Sequence, residues 1–141
     1  MNIMRGIMAL CVAGGLAAAA QADHAGKIVY HVSEIEKVGF ALGNIRNHIN
    51  GVGGAEHVEI VLVAHGPALK AFHDTIDANP KIMDRVSALQ GAGVRFEACG
   101  NTMNAQSVSL DDLMGSFARR DEGGVVRIAD LQSQGYLYIR P

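Results

Sequence analysis

Residues 57–64 read HVEIVLVA, and the run is continuously apolar from Ile60 onward. A strand with one face in water alternates apolar and polar residues, whereas a strand that is covered on both faces is apolar throughout. The stretch is therefore typical of a central strand in a parallel sheet. Parallel neighbours are joined by crossover connections, so this run predicts helices in the chain on either side of it.

Two further strands flank this run in the sequence. Residues 27–32 (KIVYHV) are rich in β-branched and aromatic side chains, and residues 94–99 (VRFEAC) alternate in polarity. The alternation separates two sets of side chains, with Val94, Phe96 and Ala98 on one face and Arg95, Glu97 and Cys99 on the other. The second of these faces is expected to be the wetter one.

Helical patterns fill the segments between the strands. Ser33 precedes Glu36 by three residues, which predicts a capping box at the start of a first helix. Pro67 suits the first turn of a second helix, and Asn79-Pro80 begins a third. The remaining elements are a short helix at 110–114, a strand at 116–120, a helix at 125–134 and a strand at 136–140. Strands that alternate with helices predict an α/β fold with right-handed crossovers.

The N-terminal segment has the pattern of an export signal. Arg5 precedes an apolar run over residues 7–20, and Ala20-Gln21-Ala22 is a small-x-small cleavage pattern. The run of about 14 residues is shorter than the roughly 20 that span a bilayer. We therefore expect a signal peptide over residues 1–22, one domain over residues 23–141, a periplasmic location and no membrane anchor.

Composition excludes one class of partner. The formal net charge is −2, and no stripe of basic residues stands out. Proteins that bind nucleic acid neutralise phosphates with clustered Lys and Arg. Nucleic acid is therefore not an expected partner.

Cysteine usage points to Cys99. The chain has two cysteines, and Cys11 would leave with the signal peptide, so no internal disulfide could form. Exported proteins normally keep cysteines in pairs. A lone thiol in an oxidising compartment is either buried and inert or retained because its reactivity is useful.

Side chains that can bind ligands or react lie at or near the ends of three predicted strands. His31 lies near the end of the first strand, His65 follows the second and Cys99 ends the third. Ligands of parallel sheets gather at the carboxyl ends of the strands. Residues 100–102 (GNT) could place a helix N-terminus, including Asn101, beside the sulfur and stabilise a thiolate. Asn44 flanks the apolar stripe of the first helix and could point into a pocket.

A metal site is a weaker hypothesis. His31, His65, Cys99 and Met103 supply the ligand types of a blue-copper centre. Such centres usually take a histidine from the loop that holds the Cys and Met, and Asn101 and Thr102 occupy that interval here. We therefore predict neither a metal nor another cofactor. The other histidines (His24, His48, His57 and His73) have the pattern of surface residues.

Five segments resemble the DsrE/DsrF-like family of sulfur-relay proteins. They are 27–31 (KIVYH), 42–47 (LGNIRN), 63–67 (VAHGP), 96–103 (FEACGNTM) and 135–139 (GYLYI). The likeness spans nearly all of residues 23–141, and the cysteine segment is its most specific part.

The resemblance implies a flavodoxin-like α/β/α subunit with three layers and a mostly parallel five-stranded sheet, assembled as a trimer or hexamer. It also implies that Cys99 matches the family cysteine that carries sulfane sulfur as a persulfide, between a donor and an acceptor protein. His65, Asn101, His31 and Asn44 are then candidate substrate-binding residues. The alternative is a non-catalytic oligomeric protein that binds a small ligand or metal and whose cysteine is structural.

Overall fold

The computed structural model describes residues 26–75 and 77–141, so the predicted signal peptide lies outside the described residues. Five strands form one sheet in the order β4-β3-β2-β1-β5, and every neighbouring pair is parallel. The strands are β1 (Gly26–Val32), β2 (Val58–Ala64), β3 (Arg95–Cys99), β4 (Phe117–Arg120) and β5 (Leu137–Ile139).

Among the described residues, four α-helices and four short 3-10 helices connect the strands. The α-helices are α1 (Val38–Gly51), α2 (Pro80–Gly91), α3 (Gly100–Gln106) and α4 (Gly124–Ser133). The 3-10 helices are Ile35–Lys37, Ala55–His57, Gly66–Phe72 and Leu110–Asp112. No helix in the described part of the chain is both long and apolar enough to span a bilayer.

Helices cover both faces of the sheet, which confirms the predicted three-layer α/β architecture. On the first face, α1, α2 and the 66–72 helix pack against alternate sheet residues such as Ile28, Leu62 and Phe96. On the second face, Ile128 and Leu131 of α4 pack against Val29, Val61 and Val63. The strand order differs from the 2-1-3-4-5 order of flavodoxin itself. The two folds have their layers and parallel strands in common, but not the order of the strands.

The predicted capping box before the first helix is wrong. Ser33 Oγ donates to the carboxylate of its neighbour Glu34 at 2.9 Å, and no side chain caps the 3-10 turn that follows. The chain then enters α1 at Val38. Ser33 Oγ instead donates to Glu34 and accepts from Arg140 at 3.0 Å, so its hydroxyl is engaged by two side chains.

The helix predicted after Pro67 forms as a 3-10 helix. It runs over Gly66–Phe72 and buries Leu69 and Phe72, which are three residues apart. Three residues make one full turn of a 3-10 helix, so this winding places the two side chains directly in line on the core side.

The predicted wet face of β3 is also wrong at its centre. Glu97 is only 1% exposed. Its carboxylate accepts hydrogen bonds from Arg127 of α4 at 2.7 and 3.0 Å and from Arg120 of β4. A charge is buried here because two guanidinium groups neutralise it.

Candidate functional site

The carboxyl ends of β1, β2 and β3 bring three predicted residues into one group. His31 Nε2 lies 2.6 Å from His65 Nε2, and His31 Nδ1 lies 2.6 Å from the hydroxyl of Tyr138 on β5. A tyrosine and two histidines therefore form one hydrogen-bonded chain. Tyr138 was not predicted as a site residue, because the sequence does not indicate that β5 pairs with β1.

Cys99 adjoins this chain through Gly124, the first residue of α4. A methyl group on Gly124 would lie 3.3 Å from the Cβ atoms of both Cys99 and His65. Those two Cβ atoms are thus at most twice that distance apart. The absence of a side chain at Gly124 lets the start of α4 approach both residues closely.

The surroundings of the Cys99 sulfur favour a thiolate. Burial raises the pKa of the thiol, since the residue is only 6% exposed. Hydrogen bonds from the Thr102 hydroxyl and from the amides of Gly124, Thr102 and Asn101 outweigh this effect and lower the pKa below its usual value. The expected stabilisation by residues 100–102 is supplemented by α4, which approaches from the other side.

Thr102 is held in an orientation that suits this role. Its Oγ1 accepts a hydrogen bond from the backbone N–H of Gly66 at 2.9 Å. That contact occupies a lone pair of the hydroxyl, and the hydroxyl proton is left to point to the sulfur. Thr102 thereby links the loop after β2 to the thiol at the end of β3.

Both histidines of the site are held neutral. Burial, the neighbouring His65 and Arg140 together lower the pKa of His31 to about 4, against an opposing effect of Glu34. The pKa of His65 is lowered by burial and by Arg140, again against Glu34. Arg140 is itself paired with Glu34 and donates to Ser33 Oγ at 3.0 Å. At neutral pH both rings are therefore uncharged, and one hydrogen bond joins them.

The two predicted asparagines lie in different places. Asn101 directs its backbone amide to the sulfur, and its side chain is exposed beside Gly123. Asn44 lies on α1, which covers the first face of the sheet, whereas His31 lies on the second. The structure thus brings Asn101 to the site and does not bring Asn44 to it.

The copper arrangement does not form. Met103 is fully buried in the core of the first face, away from the histidine pair. Within residues 26–75 and 77–141, no group of three His, Cys, Asp or Glu side chains could hold a metal ion. The site holds a hydrogen-bonded thiol beside a neutral histidine.

Gly124→Ala is expected to slow alkylation of the Cys99 thiol several-fold at neutral pH. The added methyl would crowd Cys99 and His65 at 3.3 Å, so the first turn of α4 must move back and take its amide from the sulfur. The rate of iodoacetamide labelling measures this effect. Gly43→Ala is the matched control, since nothing lies within 4 Å of the added methyl on α1. Equal labelling of both variants would contradict the packing described for Gly124.

Comparisons with known proteins agree with this fold. The model of the DsrE/DsrF-like family matches residues 19–141. Among solved structures, a protein of unknown function (MTH1491) from Methanobacterium thermoautotrophicum is 31% identical, with a TM-score of 0.71 over 82% of this chain and 99% of its own. No curated protein matches the chain.

Two more distant structures show the fold alone. The ychN protein from E. coli is 15% identical with a TM-score of 0.64, over 82% of this chain and 99% of its own. A conserved protein of unknown function (BT1422) from Bacteroides thetaiotaomicron is 12% identical with a TM-score of 0.58, over 82% of this chain and 94% of its own.

Proposed function

Because the chain belongs to the DsrE/DsrF-like family, we propose that it carries sulfane sulfur on Cys99 as a persulfide. The observation that supports this most is the set of donors around the sulfur, which comprises three backbone amides and the Thr102 hydroxyl. A thiolate is the reactive form of cysteine, and these donors stabilise it at neutral pH.

The proposed reaction is an exchange of sulfur–sulfur bonds. The Cys99 thiolate attacks the terminal sulfur of a polysulfide or persulfide, a new bond to that sulfur forms, and the bond to the rest of the donor breaks. The donor leaves as a thiolate with the electron pair of the broken bond, so no oxidant is needed. In the second half of the transfer, an acceptor thiolate attacks the outer sulfur of the Cys99 persulfide. The same hydrogen bonds then stabilise the Cys99 thiolate as the leaving group.

The lack of a second thiol favours a stored persulfide. A groove of about 430 Å³ is lined by Asn101 and Thr102, which donate to the Cys99 sulfur, and Cys99 itself is 6% exposed. Cys99 is the only cysteine in the part of the chain that the structure describes. No neighbouring thiol there can resolve the persulfide into an internal disulfide.

Polysulfide loading tests the proposal. The purified protein is treated with polysulfide, and mass spectrometry should find added sulfur atoms on the Cys99 peptide that a reductant removes. A native protein that stays unmodified, and whose thiol reacts only after denaturation, would make Cys99 a core residue. That result would favour the alternative of a binding protein with a structural cysteine.

We also propose that the protein is exported and processed before Asp23. The support is the Ala20-Gln21-Ala22 pattern after an apolar run. Intact-mass analysis of protein recovered from the producing cell should give a chain that begins at Asp23. Recovery with Met1 still attached would contradict export.

Assembly into a trimer or hexamer is part of the same proposal. Val125 and Val126 of α4 and Leu137 of the edge strand β5 are more than half exposed in the single subunit. Small domains gain stability when they bury such surfaces against copies of themselves. Light scattering at micromolar concentration should give the mass of a trimer or hexamer, and a monomer would contradict this.

A further inference from the structure

We propose that Tyr138, His31 and His65 form a proton relay that delivers a proton to the thiolate expelled from the sulfur donor. The inference rests on the proposed function, because it concerns the leaving group of that reaction. It gives a role to Tyr138 and defines the role of His31, neither of which is among the hydrogen-bond donors of the sulfur.

The geometry allows a proton to pass along the whole chain. Both nitrogens of His31 are engaged, Nδ1 with the Tyr138 hydroxyl and Nε2 with His65 Nε2, each at 2.6 Å. The two imidazole rings lie with centroids 4.7 Å apart and planes inclined by 20°. A neutral imidazole carries one proton, so only two arrangements of protons satisfy both contacts.

The two arrangements differ at the free nitrogen of His65. In the first, Tyr138 donates to His31 Nδ1, His31 Nε2 donates to His65 Nε2, and His65 Nδ1 carries a proton that it can give away. In the second, both hydrogen bonds run in the opposite direction, and His65 Nδ1 is left as an acceptor. Passage from the first to the second moves one proton out at His65 and requires one proton in at Tyr138.

Water can supply that incoming proton. Tyr138 is 41% exposed, and together with His31 it lines a cavity of about 270 Å³ beside α4. Several water molecules fit in this volume, since each occupies about 30 Å³ in the liquid. The α4 residues that line the cavity are Val125, Ile128, Ala129 and Gln132, none of which titrates.

The charges around the histidines favour transfer over storage of a proton. Arg140 and Glu34 face the pair from the end of β5 and the end of β1, and they are paired with each other. Burial and the Arg140 charge lower the pKa values of both rings, so neither holds an extra proton at neutral pH. A shift of tautomers then moves the proton without leaving a charge on the relay.

The step balances as follows. The Cys99 thiolate forms a bond to the outer sulfur, and the donor leaves as a thiolate that takes the proton of His65 Nδ1. His65 Nε2 takes a proton from His31 Nε2, His31 Nδ1 takes one from Tyr138, and Tyr138 takes one from water. The hydroxide that this water leaves is neutralised by the buffer in the surrounding solvent. Only donors whose leaving thiolate is strongly basic need this proton, because a weakly basic thiolate departs unaided.

Tyr138→Phe tests the relay with two reagents. Cys99 attacks both reagents. Glutathione persulfide then releases a strongly basic alkyl thiolate, and an aromatic disulfide releases a weakly basic aryl thiolate. We expect the variant to take sulfur from glutathione persulfide about tenfold more slowly than wild type and to react with the aromatic disulfide at the wild-type rate. The persulfide reaction of wild type should also be slower in D₂O, and this isotope effect should be lost in the variant.

Tyr30→Phe is the matched control, because Tyr30 makes the other tyrosine–histidine hydrogen bond, to His48 Nδ1 at 3.0 Å. It should behave as wild type with both reagents. If Tyr138→Phe slows both reactions equally, or neither, the relay is wrong while the persulfide function stands. If wild type reacts with the aromatic disulfide but takes no sulfur from the persulfide, the proposed function fails and the relay fails with it.

Discussion

Cys99→Ser is expected to take up no sulfur from polysulfide, and His65→Ala is expected to take sulfur from glutathione persulfide at least about tenfold more slowly than wild type. A serine hydroxyl is not ionised at neutral pH and cannot form a persulfide, although it fits among the same hydrogen-bond donors. The alanine removes the ring that lies beside Cys99 and ends the Tyr138–His31 chain. Mass spectrometry over a time course measures both effects.

His57→Ala is the control for the histidine substitution, because His57 is exposed just before β2, at the opposite end of that strand from His65. It should load sulfur at the wild-type rate. Sulfur that still adds to Cys99→Ser would show that another group carries it. A wild-type rate for His65→Ala would remove the histidine from the chemistry.

Glu97→Gln is expected to lower the free energy of unfolding by about 3 kcal/mol, the low end of the cost of breaking a buried ion pair. The carboxylate is 1% exposed and accepts from Arg127 and Arg120. The amide would leave Arg120 without this counter-charge and Arg127 with only its pair to the exposed Asp130. Urea denaturation followed by circular dichroism gives the difference. Glu59→Gln is the control, since its pair with Arg95 is solvent-exposed, and it should cost less than about 1 kcal/mol.

The cost of Glu97→Gln should shrink in acid. Burial raises the pKa of Glu97, but hydrogen bonds from Arg127 and Arg120 outweigh it, and the folded pKa lies below the ordinary value. A carboxyl of this kind contributes its full stability above its unfolded pKa, near 4.3. The contribution is lost as pH falls through the lower folded pKa. A difference between wild type and variant that stays constant down to pH 3 would contradict the ion network.

The fold was largely predictable because its decisive patterns are local. The apolar run in β2 indicated a strand covered on both faces, and the structure places β2 inside the sheet between β1 and β3. The strand ends that carry His31, His65 and Cys99 could be grouped because parallel strands end at the same edge. These inferences needed only periodicity and chain direction.

The parts that could not be predicted depend on strand order. The sequence does not show that β5 pairs with β1, and this pairing places Tyr138 beside His31. The same arrangement lays α4 on the second face, where Arg127 reaches Glu97 from 30 residues away along the chain. The strict alternation of β3 therefore predicted a solvent-exposed face, whereas the folded protein buries Glu97 there and neutralises its charge with two arginines.

Gly124 and the hydroxyl of Thr102 were missed for a related reason. Each acts through a contact between loops that are distant in sequence, Thr102 with Gly66 and Gly124 with Cys99 and His65. A glycine at the start of a helix and a threonine after a cysteine are common in many proteins. No local pattern distinguishes these two residues from others of their type.

The pKa of the Cys99 thiol is the measurement that tests the central claim most directly. The ultraviolet absorbance of the thiolate, followed against pH, gives this value for the native protein and for the protein unfolded in urea. We predict a lower pKa in the native protein, and a partial return toward the unfolded value in Thr102→Val, which keeps the backbone amide and loses the hydroxyl donor. A native pKa equal to or above the unfolded one would contradict the claim that this fold activates Cys99.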